Sequence, residues 1–260
     1  DITNQPVTVS ITVSGNDSAR VVLSGSVADI NALLASAGGV SYLGVLDYYG
    51  DDTLTMLTDD AGHVGQGGPL SDSDTVAITV NPVNDVPVVD TSDLLGSIQE
   101  ALSPVGVLSD SGTIAFTDVD VTDTHTVTVI ATSEDAKGTL APRVSQDTTD
   151  GVPGTISWTY TVAADALEYL AVGQTKLETF TLLLDDGQGG KVERTVEITI
   201  TGTNDKPVVA MADLVATVTE ILNPEGEITD SGSVAFTDVD LTDTHSVGVT
   251  AHSDGALGVL

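Results

Sequence analysis

The residues best suited to chemistry in this sequence are aspartates arranged as Asp-Val-Asp, and the arrangement occurs twice. Asp118 and Asp120 belong to SGTIAFTDVDVTDTHTV (111–127), and Asp238 and Asp240 belong to SGSVAFTDVDLTDTHSV (231–247). Residues two apart in an extended segment project their side chains the same way. Each pair of carboxylates therefore faces one region, where a cation would offset the repulsion between them.

Calcium fits these residues best among the common metals. It takes about six to eight oxygen ligands in flexible geometry, whereas zinc favours His and Cys, and the 260 residues include 4 His and no Cys. The 39 acidic and 7 basic residues give a formal net charge of −32, which attracts cations and repels nucleic acid and anionic membranes. A saline habitat is an alternative explanation of the acidity.

Both Asp-Val-Asp segments belong to an internal repeat of about 120 residues. Aligning Asp93 with Asp213 keeps the register without a gap as far as Leu140 and Leu260, with about half of the positions identical. The same shift places Asn84-Asp85 on Asn204-Asp205. We predict a module over residues 1–83 that lacks its N-terminal part, a complete repeat over 84–203, and the first half of another over 204–260. Alternatively, residues 1–83 form a small complete domain.

Alternation of apolar and polar residues predicts strands throughout the repeat, most clearly over 124–131, 155–162, 178–184 and 194–201. About seven short strands without a long helix favour an all-β fold of tandem immunoglobulin- or cadherin-like antiparallel β-sandwiches in an elongated array. Helical spacing over 27–37 and 163–171 predicts short helical turns. Every apolar run is shorter than the roughly 18 residues of a membrane span, so we expect no membrane insertion in this segment.

The order of the strands places several acids at the end of the sandwich where the chain enters. The loop with Asp118, Asp120 and Asp123 and the hairpin with Asp185 and Asp186 should meet there, beside Asn84 and Asp85. Solvated loops and ordinary Asp-Gly hairpin chemistry are the alternatives. His125 and His245 are expected to order this loop rather than to bind zinc. Trp158 and Tyr160 share one strand face, which indicates core packing or, alternatively, a surface for stacking on sugars.

The motifs resemble those of two related families. NDVPVV and NDKPVV before a strand, followed by Glu100 or Glu220 and then Asp-Val-Asp, resemble the linker, glutamate and Asp-x-Asp calcium motifs of cadherin repeats. GTIAFTDVDVTDTHTVTV, WTYTV and TFTLLLDDGQGGKVERTVEITITGTND resemble the VCBS repeat of giant bacterial RTX-type adhesins over 84–203 and again over 204–260. LSGSVADINALLA, DYYGDDTLTML and LSDSDTVAITVNPVND resemble a sister cadherin-like module.

The resemblance implies calcium bound at the linkers between domains. Glu100 would bind calcium at one junction together with Asn204, Asp205, Asp238 and Asp240. The alternative is that Glu100 is a solvent-facing strand residue without a role in binding. Asp47, Asp51 and Asp52 would face Asn84, Asp85, Asp118 and Asp120 at the preceding junction. The chain lacks the intact Leu-Asp-Arg-Glu motif of cadherins and the glycine-rich calcium nonapeptide of RTX proteins.

The function implied is that of a non-catalytic extender region of a large secreted bacterial adhesin. The resemblance implies type I secretion, a place on the cell surface, a role in adhesion or biofilm formation, and neighbouring repeats as partners. Surface carbohydrate or protein would be bound through other domains. The alternative is a carbohydrate- or protein-binding module of a secreted surface protein. A glycosidase with paired carboxylates needs an acid in an apolar pocket, and these acids occur in polar, repeated turns.

Overall fold

The computed structural model describes residues 12–14, 20–60, 62, 67–210, 213, 215–221, 225–248 and 253–255. The chain divides into two compact units, Asp1–Pro82 and Val83–Leu260. No helix in the described ranges is long and apolar enough to cross a membrane.

The described residues of the first unit form two antiparallel strand pairs and one helix. Its elements are β1 (Thr12–Ser14), β2 (Val22–Ser24), α1 (Val27–Leu34), β3 (Gly50–Asp59) and β4 (Ser71–Val80). The pairs are β1–β2 and β3–β4. Ser26 caps the helix, because its side chain accepts a hydrogen bond from the backbone N–H of Asp29. The helical turn predicted over 27–37 is thus confirmed over Val27–Leu34.

The second unit is built on two four-stranded sheets. Its strands are β5 (Val88–Val89), β6 (Leu95–Gln99), β7 (Val107–Thr117), β8 (Thr126–Thr132), β9 (Thr139–Gln146), β10 (Gly154–Ala163), β11 (Thr175–Asp185) and β12 (Lys191–Thr201). One sheet has the order β5-β7-β10-β9 and the other β6-β12-β11-β8. All of these pairings are antiparallel except β6–β12. The predicted all-β sandwich is confirmed.

Two short 3-10 turns lie between strands of this sandwich, Thr149–Gly151 and Ala164–Ala166. The second lies within the 163–171 stretch for which a helical turn was predicted. It follows β10 directly and leads to Glu168, so it determines where that acid lies.

Alternate residues of the strands form one apolar core between the sheets. β7 contributes Ile114 and Phe116, and β12 contributes Val196, Ile198 and Ile200. Trp158 and Tyr160 on β10 are 1% and 0% exposed. Their prediction as core residues is confirmed, and the alternative of a sugar-stacking surface on them is wrong, because neither ring reaches solvent.

The pairing of the linker with the strand before Asp-Val-Asp occurs in both repeats. β5 pairs with β7 through Val88–Thr117 and Val89–Phe116. β13 (Val208–Val209) pairs with β14 (Phe236–Thr237) through Val208–Thr237 and Val209–Phe236. Each residue is shifted by the 120 positions of the sequence repeat. The boundary between residues 203 and 204 stays a prediction.

Candidate metal centre

The first acidic cluster, which we call the N-terminal cluster, lies where the chain enters the complete sandwich. It consists of Asn84, Asp85, Asp118, Asp120, Asp123 and Asp186. The Asp85 backbone N–H donates to Asp120 Oδ2 at 2.7 Å, and Asn84 Nδ2 donates to Asp186 Oδ2 at 3.0 Å. The linker, the loop after β7 and the β11–β12 hairpin therefore meet at one point.

Asp118 is held inside its own loop by two hydrogen bonds. Its Oδ1 accepts the backbone N–H of Asp120 at 2.8 Å, and its Oδ2 lies 3.1 Å from His125 Nε2. Asp147 holds the other side of the histidine, with Oδ1 2.7 Å from Nδ1 and Oδ2 accepting the His125 backbone N–H. The side chains of Asp118 and His125 are fully buried. His125 thus orders the loop, as the sequence suggested.

Asp123 and Asp186 differ in how their charges are compensated. Asp186 Oδ1 accepts backbone N–H groups from Gln188, Gly189 and Gly190. Burial alone would raise the pKa of Asp186, but these bonds and the one from Asn84 hold it below its ordinary value. Asp123 is 9% exposed, and its Oδ2 has no hydrogen-bond partner among the described residues. Burial and the charges of Asp120, Asp118 and Asp186 raise its pKa.

Asp185 lies on the same hairpin as Asp186, but its carboxylate is bound elsewhere. Its Oδ2 lies 2.8 Å from Lys191 Nζ, and its Oδ1 accepts the Gly187 backbone N–H at 2.9 Å. These contacts, the Lys191 hydrogen bond above all, hold the pKa of Asp185 below its ordinary value. The structure therefore places Asp186, rather than Asp185, against the linker.

The second acidic cluster, which we call the C-terminal cluster, lies around the segment that follows β12, the last strand of the two-sheet sandwich. It comprises Glu100, Glu168, Asn204, Asp205, Asp238 and Asp240. Glu100 follows β6, and its Oε2 accepts the Thr203 backbone N–H at 2.7 Å. The Asp205 backbone N–H donates to Asp240 Oδ2 at 2.7 Å, as Asp85 does to Asp120. Asn204 Nδ2 donates to the Asp205 carbonyl.

Four carboxylates of the C-terminal cluster each have a buried oxygen without a hydrogen-bond partner in the described residues: Glu100 Oε1, Glu168 Oε1, Asp205 Oδ2 and Asp240 Oδ1. Glu100 is 3% exposed and Asp240 is 2% exposed. A buried polar atom without a partner is costly, and four of them in one cluster require an explanation.

The charges of these groups act on one another. Burial is the largest cause that raises the pKa of Glu100, and the charges of Asp205, Glu168 and Asp240 add to it. Burial and the charges of Asp205, Asp165 and Asp240 raise the pKa of Glu168. Burial with Asp240 and Asp238 raises that of Asp205. In contrast, Asp238 has a lowered pKa, chiefly because His245 Nε2 is hydrogen-bonded to it.

Glu168 was missed by the sequence analysis. The stretch AADALEYLA (163–171) contains two acids, Asp165 and Glu168, and its pattern is typical of a short exposed helical turn. In the structure, Glu168 lies near Glu100 and Asp205, and their charges act on one another. Its only sequence signal was its position shortly after a strand that ends at this junction.

Asp47, Asp51 and Asp52 belong to the first unit, and Asp51 and Asp52 have hydrogen-bond partners within it. Asp52 Oδ2 accepts the Tyr42 hydroxyl at 2.8 Å, and Asp51 Oδ1 accepts the Thr79 hydroxyl at 3.0 Å. Asp47 has a positive φ of 59°, the left-handed turn conformation that Asp tolerates. The predicted approach of these three residues to Asn84 stays a prediction.

The C-terminal cluster offers the kind of oxygen ligand that a hard cation binds. Within the described ranges, however, no group of three or more His, Asp or Glu side chains has an arrangement that could hold a metal ion. The four unpartnered oxygens of this cluster are nevertheless all carboxylate oxygens, and the negative charges of these four residues repel one another. Calcium accepts such oxygens in flexible geometry, whereas zinc would require nitrogen or sulfur ligands.

No protein-family model and no curated protein sequence matches the chain. Among solved structures, it is similar to protocadherin gamma B2 extracellular cadherin domains 3–6, with a TM-score of 0.38, 14% identity, and 88% of this chain and 49% of that chain covered. It is also similar to the protocadherin gamma B7 EC3-6 cis-dimer structure, with a TM-score of 0.35 and 19% identity. That similarity covers 74% of this chain and 44% of the protocadherin chain.

A third similarity is to the N-terminal domain of PorA, with a TM-score of 0.29, 13% identity, and 45% of this chain and 96% of that chain covered. The chain spans less than half the length of the two protocadherin structures. Scores of this size describe partial likeness, so the sandwich assignment rests on the sheets of this chain. The resemblance to VCBS repeats stays a prediction.

Proposed function

We propose that this chain is a non-catalytic extender segment of a secreted bacterial surface adhesin, in which calcium bound at the domain linkers restricts bending. The supporting observation is the set of four buried, unpartnered carboxylate oxygens of Glu100, Glu168, Asp205 and Asp240. These residues come from both sides of the linker at residues 203–205. A cation shared by them would tie the complete sandwich to the repeat that follows.

Calcium supplies charge neutralisation and coordination at this linker. The chain supplies the alignment, because Thr203 holds Glu100 and Asp240 holds the backbone of Asp205. Pro207 shortly after the linker fixes φ and removes a backbone donor, which stiffens the same segment. The N-terminal cluster repeats the Asp-Val-Asp and Asn-Asp parts of this arrangement, and we propose that it binds calcium at the preceding junction. A place on the cell surface, export by type I secretion and a role in biofilm formation are parts of the same proposal.

The test is thermal unfolding of the full chain with calcium and with a chelator. At a calcium concentration about 100 times the dissociation constant, binding adds about 2.7 kcal/mol to the free energy of unfolding. For a chain of this size that corresponds to a rise in Tm of roughly 5–10 °C. We expect Glu168→Gln to lose more than half of this rise, because it removes one of the four charges.

Asp165→Asn is the matched control, since it removes a neighbouring charge from an exposed side chain of the same turn. It should keep the calcium-dependent rise. The proposal is contradicted if the Tm of the unsubstituted chain is the same with calcium and with chelator.

A further inference from the structure

The two aspartates of each Asp-Val-Asp segment are hydrogen-bonded differently. Asp240 accepts the Asp205 backbone N–H on Oδ2, and its Oδ1 is buried without a partner in the described residues. Asp238 uses both of its oxygens. Oδ1 accepts the Asp240 backbone N–H at 3.0 Å, and Oδ2 lies 2.8 Å from His245 Nε2.

The first repeat has the same contacts around its first aspartate. Asp118 Oδ1 accepts the Asp120 backbone N–H, and Asp118 Oδ2 lies against His125 Nε2. The histidine ring lies beside a phenylalanine in both repeats, with its centroid 4.9 Å from that of Phe116 in one and 5.0 Å from that of Phe236 in the other, although His125 is buried and His245 is exposed. Because the Asp–His and Asp–backbone contacts recur 120 residues apart, they belong to the structure of the repeat itself.

A carboxylate held in this way is a weaker cation ligand than one with an unpartnered oxygen. Each of its oxygens has already given one lone pair to a donor, and the positive charge of these donors compensates part of the charge that would attract a cation. The Asp240 carboxylate has the opposite property, since its buried Oδ1 has no hydrogen-bond donor among the described residues.

We infer that Asp238 and His245 are a positioning pair rather than cation ligands. His245 holds Asp238, Asp238 holds the backbone of Asp240, and the free oxygen of Asp240 is presented to the cation. Asp118 and His125 have the same role for Asp120. The inference rests on the proposed function, and it narrows the ligands expected from each Asp-Val-Asp segment from two to one.

The experiment is calorimetric titration of the calcium-free full chain with calcium chloride. The variants are Asp240→Asn, Asp238→Asn, His245→Phe and His245→Gln. Asp240→Asn should lower the number of ions bound by one. Asp238→Asn and His245→Phe should keep the number of ions and weaken the affinity at this junction by about 10-fold, the lower end of the effect of removing a residue that holds a metal ligand.

His245→Gln provides a readout that a purely structural role would not give. The glutamine amide keeps an N–H donor at a reach similar to that of Nε2, so it should recover the affinity to within about 3-fold of the unsubstituted chain. Circular dichroism of each variant checks that the strand content is unchanged.

Two results would overturn the inference: the loss of an ion in Asp238→Asn, or an affinity of His245→Phe within 2-fold of the unsubstituted value. Absence of calcium uptake by the unsubstituted chain at millimolar concentration is a different result. It contradicts the proposed function itself, and the positioning role with it.

Discussion

At the scale of single residues, the acids differ in how many hydrogen bonds their carboxylates accept, a difference that the sequence does not show. Asp186 accepts four backbone or amide donors through its two oxygens, and Asp185 is paired with Lys191. Glu100 has one oxygen bound to Thr203 and the other without a partner in the described residues. Because a saturated carboxylate is stable by itself, the unsaturated ones determine where a cation is needed.

The pH dependence of stability follows from the raised pKa values of Glu100, Glu168 and Asp205. For an acid with a raised folded-state pKa, the stabilisation is complete below the unfolded pKa, about 4.3 for Glu, and is lost as pH rises through the folded pKa. In chelator, the Tm should therefore rise as the pH falls from 7 to 5. With saturating calcium it should fall, since protons compete with the ion.

Glu100→Gln tests this assignment directly. The variant should have a higher Tm than the unsubstituted chain in chelator at pH 7 and a smaller gain from calcium. Glu220→Gln is the matched control, because Glu220 is the corresponding residue of the next repeat and is exposed. A calcium gain that Glu100→Gln leaves intact would remove Glu100 from the site.

At the scale of elements, both copies of the repeat contain the same hydrogen bond from an aspartate to the backbone of a neighbouring segment. Asp110 Oδ2 accepts the Ser97 backbone N–H, and Asp230 Oδ2 accepts that of Thr217, 120 residues later. Gly112 in β7 has a different role, because a Cβ there would lie 2.4 Å from Trp158 Cζ2. Some residues of the 120-residue repeat thus serve strand pairing and core packing rather than cation binding.

Gly112→Ala should destabilise the second unit by about 1–3 kcal/mol, since the added methyl group forces the buried indole to shift. Urea unfolding followed by the fluorescence of Trp158, the single tryptophan, measures this change. Gly248→Ala is the control, because its Cβ would meet no atom of the described residues within 4 Å. Equal midpoints for the two variants would show that Trp158 is not tightly packed against β7.

At the scale of the whole molecule, the formal net charge of −32 means that repulsion among the acidic side chains destabilises the folded state. Screening by salt weakens this repulsion everywhere, whereas calcium acts only where oxygens are arranged to bind it. The two explanations of the acidity, a saline habitat and cation sites, therefore predict different responses to the two ions.

Raising sodium chloride from about 0.01 M to 1 M shortens the Debye length from roughly 30 Å to 3 Å. In chelator the Tm should rise gradually over this range. Millimolar calcium at constant ionic strength should add a further, saturable rise that Asp240→Asn loses. If sodium chloride alone gave the whole gain, the acidity would be explained by screening.

The sequence by itself determined the strands, the 120-residue repeat and the meeting of Asp-Val-Asp with the Asn-Asp linker. These features depend on local alternation and on spacing, which are visible in one dimension. Only the tertiary structure decided that Glu168 joins Glu100, that Lys191 binds Asp185, and that Asp240 rather than Asp238 keeps an oxygen without a partner in the described residues. Those outcomes depend on which donors from distant strands reach each carboxylate, and a donor supplied across a sandwich leaves no trace in the local pattern.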